Sequence, residues 1–115
     1  MTRFAGMALA AFIATTGPSL ADTAKQFLEL YNSEDGQGLA ISKIASMEAG
    51  VREANEYLKT HGERPLYCQP AQLVLTGPQI ADMIRRAAEE KDSKVEDMTI
   101  PGALLFVLQK TFPCP

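Results

Sequence analysis

Histidine and cysteine are scarce in this sequence, with one histidine and two cysteines in 115 residues. His61 lies in a glycine-proline turn, His61-Gly62-Glu63-Arg64-Pro65, with no motif around it. It therefore reads as a surface side chain, since a general base needs a positioned partner and a cleft. The two cysteines, Cys68 and Cys114, lack the C-x-x-C spacing of redox dithiols and have no histidine cluster to complete a zinc site. No phosphate-cradling glycine loop and no G-x-S-x-G elbow occurs. The acidic pairs Glu89-Glu90 and Glu96-Asp97 are sequence neighbours, so their side chains diverge and offer no paired-carboxylate chemistry. No catalytic residue, metal site or cofactor is expected, and the chain does not read as an enzyme. Clustered positive charge is missing too. The formal charge is −3, and Arg85-Arg86, on a predicted helix, is the only adjacent basic pair. It reads as a solvated face, which argues against nucleic acid and anionic membrane surfaces as partners.

What is present begins with residues 1–21. Arg3 supplies a positive start, Phe4 to Ala14 an uncharged apolar run, Gly17-Pro18 a helix break, and Ser19-Leu20-Ala21 small residues at the −3 and −1 positions. That is the pattern of an export signal, with cleavage expected after Ala21. The apolar run is about half the roughly 20 residues a membrane-spanning helix needs, so no stable insertion is expected. No cysteine near the cleavage point offers a lipid attachment site. The expected mature chain, residues 22–115, loses Arg3 and so carries −4 against −3 for the whole sequence. It is long enough for one domain and not two.

Apolar residues in this mature part fall at helical spacing, and no segment alternates convincingly. A first helix is predicted from about Thr23 to Asn32, with Phe27, Leu28, Leu30 and Tyr31 inward and Asp22 as N-cap. Ser33 to Gly38 is polar and glycine-rich, a turn. A second helix is predicted from about Leu39 to Thr60, with Ile41, Ile44, Met47, Val51, Ala54 and Leu58 on one stripe. Gly50 in its middle suggests a close approach by another element. Leu66 to Pro70 reads as extended, because a residue before proline avoids the helical region. Thr76-Gly77-Pro78-Gln79 is a capping box with proline in the first turn. The helix it opens turns Ile80, Met83, Ile84 and Ala87 inward and ends near Glu90. Asp92 to Asp97 reads as a charged link. Thr99 and Pro101 open the last helix, which buries Leu104, Leu105, Val107 and Leu108 before Phe112-Pro113 ends it.

An exported chain meets an oxidising compartment, where an even cysteine count reads first as a disulfide. Cys68–Cys114 within one chain is the expected bond, two separate thiols or a bond between chains being the alternatives. Pro70, Pro113 and Pro115 stiffen the backbone around both cysteines. The expected fold is all-α, a small four-helix domain closed by one disulfide.

Tyr67-Cys68-Gln69-Pro70, Leu73-Val74-Leu75-Thr76, Gln79-Ile80 with the apolar helix after it, and Ala103-Leu104 through Leu108 to Phe112-Pro113-Cys114 resemble the Rap/Tai family. The resemblance covers about the last 50 residues with some specificity and the first half loosely. Members carry an aromatic-Cys-x-Pro turn and an AL-x-x-x-FPC ending, in which Val107 here takes the alanine's place. Many have a second cysteine pair, where this chain has Tyr31 and Ile44. Of the family's Gly-Tyr-Ile-x-Gly-Val stretch, only Gly50-Val51 is kept. The family comprises small exported helical bacterial proteins. Its best understood members neutralise, in the periplasm, peptidoglycan amidase toxins delivered by type VI secretion. The resemblance implies a periplasmic immunity protein whose partner is an amidase effector, and a homodimer. The alternative is a helical accessory or interaction module of the periplasm unrelated to toxins. The loops Ser33 to Gly38, Thr60 to Arg64 and Glu89 to Asp97 are the expected places of contact.

Overall fold

The computed structural model describes residues 22–115, and the expected export signal lies outside the described residues. Four α-helices follow in order: α1 Ala24–Asn32, α2 Gln37–Thr60, α3 Gly77–Glu89 and α4 Ile100–Thr111. A single 3-10 turn, Val95–Asp97, precedes α4. No strand occurs among the described residues, apart from one isolated antiparallel bridge between Thr23 and Thr99. The fold is all-α, as the periodicity requires.

Side chains that satisfy free N–H groups set the helix starts. At α3 the Gln79 N–H donates to Thr76 Oγ1, while the Thr76 N–H donates to Gln79 Oε1, so the expected capping box is closed. At α1 the expected cap is corrected by one residue. Thr23, not Asp22, is the N-cap, with Gln26 completing a second capping box. Asp22 instead links α1 to two other helices. Its carbonyl accepts from the Ile100 N–H at 3.0 Å, and its carboxylate stands 3.6 Å from Lys43 on α2. With the Ala24 N–H donating to Met98 O at 2.8 Å, this ties the starts of α1 and α4 side by side. Thr99 caps α4 through the Gly102 N–H.

The core lies among all four helices. Phe27 and Leu28 of α1, Ala40 and Ile44 of α2, Ile80, Ala81, Ile84 and Ala87 of α3, and Ile100, Ala103, Leu104, Val107 and Leu108 of α4 are buried in it. Leu30, Tyr31, Met47, Met83 and Leu105 pack against it partly buried. The charged link contributes a core residue that the sequence reading passed over: Val95, in the 3-10 turn, is buried. Ile44, aligned with a family cysteine, is fully buried, and Tyr31, aligned with the other, is half-buried and stacked on Phe27.

Two expectations for α2 are overturned. Its inward stripe does not run through Ala54, which is exposed; Glu48 and Asn55 are buried instead. Ile44, Glu48, Val51 and Asn55 step by four, three and four, which is the stripe the helix turns inward. The close approach attributed to Gly50 occurs elsewhere. A Cβ on Gly50 would meet nothing within 4 Å, whereas one on Gly77 would stand 2.8 Å from Ile41 Cγ2 and 2.9 Å from the Ile41 carbonyl oxygen. The start of α3 therefore rests on the backbone of α2, at a contact only glycine permits. Gly50→Ala should raise stability by about 0.5–1 kcal/mol, the helix-interior difference between glycine and alanine. Urea unfolding of the two proteins measures it, and a lower midpoint for the variant would show that Gly50 has a neighbour.

Cys68 and Cys114 are joined in one chain, with Cα atoms 5.0 Å apart. The bond belongs to a larger tie. The Cys68 N–H donates to the Phe112 carbonyl at 2.8 Å, and Gln109 Nε2 of α4 donates to the Leu66 carbonyl at 3.2 Å. The segment after α2 is thus bound along the end of α4.

Candidate functional site

From the other side, Asn55 of α2 grips that same segment. Its Nδ2 donates to the Tyr67 carbonyl at 2.9 Å, and its Oδ1 accepts from the Leu66 N–H at 2.6 Å. The two bonds fix which end of the amide is which, because one partner is an acceptor and the other a donor. Between Asn55 and α4 the Tyr67 side chain enters the core and is 2% exposed. Burial, first, and the nearby Glu48 carboxylate, second, hold its phenol above the ordinary tyrosine range, while Arg52 opposes them. The phenol therefore keeps its proton at neutral pH and is available as a donor.

A cavity of about 210 Å³ opens beside this segment, lined by Arg52, Asn55, Glu56 and Lys59 of α2 and by Tyr67, Gln69, Pro70, Ala71 and Leu73. Its charged groups are paired. Arg52 Nη1 stands 3.4 Å from Glu48 Oε1, and Lys59 Nζ stands 3.3 Å from Glu56 Oε2. Leu66, Leu73 and Val74 of the same segment are exposed apolar side chains, with Tyr57 exposed on α2. An irregular segment of backbone, pinned on both sides, thus presents apolar side chains beside the cavity.

The residues the sequence brought forward for chemistry are dispersed. His61 is exposed and stacks on Tyr57 with ring centroids 3.9 Å apart. Glu89 pairs with Arg85 and Glu90 with Lys110, so the two neighbours do point to different partners. Arg85 and Arg86 both pair with Asp82 on the same helix. The hydrogen bond from Arg85 holds the Asp82 carboxyl below its ordinary range, and the Asp82 and Glu89 carboxylates hold Arg85 above its own. This is a solvated face of compensated charges. Among the described residues, no group of three His, Cys, Asp or Glu side chains is placed to hold a metal ion, and no helix is long and apolar enough to cross a membrane.

The sequence reading missed Asn55 and Glu48 as buried side chains. A signal was available. Both lie at four-and-three spacing from Ile44 and Val51, so the helix buries them whatever their polarity. The chain matches no family model, no curated protein and no solved structure.

Proposed function

We propose that this chain is a periplasmic immunity-type protein that binds and inhibits a peptidoglycan amidase toxin of a type VI secretion system. One observation carries the reading. The two strings that most resemble the Rap/Tai family, Tyr67-Cys68-Gln69-Pro70 and Phe112-Pro113-Cys114, are 46 positions apart at their cysteines yet form a single unit. The disulfide, the Cys68 N–H to Phe112 bond and the Gln109 contact to Leu66 join them. Residues that resemble a family's pattern and also depend on one another in space are a stronger match than two short strings. The inhibitor acts by covering a catalytic cleft and supplies no reacting group. Exposed apolar side chains on a rigidly held segment suit that role, because little ordering entropy is lost when they dock.

The test uses a type VI amidase effector, sought among the genes beside this one. Co-expressed with that amidase directed to the periplasm, the chain should restore growth and elute with the amidase as one complex. With the purified pair, it should stop the release of peptide from peptidoglycan. An amidase that neither binds the oxidised protein nor is slowed by it would overturn the proposal and leave the accessory-module alternative.

A further inference from the structure

A cavity of about 480 Å³ lies where the segment after α2 meets the end of α4, lined by Arg64, Pro65, Leu66, Gln109, Pro113 and Cys114. That volume is within the range of ligand clefts, roughly 300–1,000 Å³. Arg64 is the one ionised residue in the lining, and no carboxylate stands with it. It is exposed, so a partner can reach it. Among the described residues, Arg52, Arg85 and Arg86 each pair with a carboxylate, and Arg64 alone of the arginines does not. Glu63 precedes it in the chain but forms no ion pair with it and does not line the cavity. In a sequence whose formal charge is −3, the cavity therefore carries the opposite sign from the whole.

The walls are held in place before anything binds. The Leu66 N–H donates to Asn55 Oδ1 at 2.6 Å, and the Leu66 carbonyl accepts from Gln109 Nε2 at 3.2 Å. Cys114 is fixed by its bond to Cys68. Pro65 locks its own backbone and keeps Arg64 before it out of the helical region. Leu66, Pro65 and Pro113 supply apolar surface, and Leu66 is 38% exposed. We propose that this cavity is a docking site for an acidic side chain of a partner protein, with an aliphatic residue beside it. The carboxylate pairs with the Arg64 guanidinium, whose planar fork of N–H donors matches two carboxylate oxygens. The aliphatic neighbour packs on Leu66 and Pro113. The site stands apart from the immunity reading: carboxylate binding here without amidase binding would keep this proposal and remove that reading.

N-acetyl-Leu-Glu-amide is the probe, titrated into the isotopically labelled, oxidised full chain and followed by NMR. The expected result is saturable shifts confined to residues 64–66 and 109–114, weakening as salt is added. N-acetyl-Leu-Gln-amide, of the same shape without the charge, should bind about tenfold more weakly, the loss of a charge-assisted pair. Arg64→Gln should cost the acidic peptide the same factor and leave the urea midpoint of the free protein unmoved, since Arg64 has no partner to lose. Lys91→Gln removes an equal charge from an exposed site outside the lining and should leave binding unchanged. Shifts that stay linear to the solubility limit, equal binding of the two peptides, or binding unaltered in Arg64→Gln would overturn the assignment. So would tighter binding of N-acetyl-Leu-Ala with a free C-terminal carboxylate, which would make the occupant a chain end and not a side chain.

Discussion

Replacing Cys68 and Cys114 together by alanine should lower the unfolding free energy by about 4 kcal/mol, a large part of what a small domain has. The bond spans 46 positions, and closing a loop of that size removes roughly this much entropy from the unfolded chain. Changing both cysteines avoids the reactive thiol that a single substitution leaves behind. Urea unfolding of the oxidised protein, the same protein in reductant and the double variant measures the effect. The last two should agree with each other and fall well below the first, with a steeper denaturant dependence because the uncrosslinked chain exposes more surface. Equal midpoints in all three would mean that the hydrogen bonds around the bond suffice to hold the chain end.

The helices were legible because their information is local. Threonine before glycine-proline with glutamine three residues on specifies a helix start at Thr76 by itself, and the structure closes that box. The apolar spacing in α3 and α4 places Ile80, Ile84, Leu104 and Leu108 inward without reference to anything else, and all four are buried. The cysteine pairing needed the count of two together with the expected export. What escaped is information held by two distant segments at once. Gly50 and Gly77 are alike in sequence, and only the passage of Ile41 past the start of α3 makes the second one indispensable. Val95 sits among charges, in Lys94-Val95-Glu96-Asp97, and nothing local shows that α1 lies across it. Glu48 and Asn55 are polar, so an apolar count steps over them to Met47 and Ala54, although the helical angle favours the polar pair. The candidate site was illegible for the same reason. Its donors and acceptors come from α2 and from a segment whose position depends on α4.

Asn55→Ala should destabilise the protein by about 2–4 kcal/mol, more than its size as a side chain suggests. The substitution removes little apolar contact. What it leaves is a Leu66 N–H and a Tyr67 carbonyl deprived of their partners at a site where Asn55 itself is buried. Each unpaired buried group costs about 1–3 kcal/mol, and a cavity the size of the lost amide adds to it. Asn55→Asp separates the two bonds. The carboxylate still accepts from the Leu66 N–H, but it faces the Tyr67 carbonyl with a repelling oxygen where a donor stood. It should therefore be destabilised as well, whereas a side chain serving only to fill space would tolerate this near-isosteric change. Chemical denaturation gives the two free energies, and amide hydrogen exchange locates them. Faster exchange should begin at Leu66 and spread to Cys68, whose N–H is held by Phe112 at the other edge of the same segment. If Asn55→Ala unfolds with the parent's midpoint, the grip of α2 on this segment is not what holds Tyr67 in the core, and α4 with the disulfide holds it unaided.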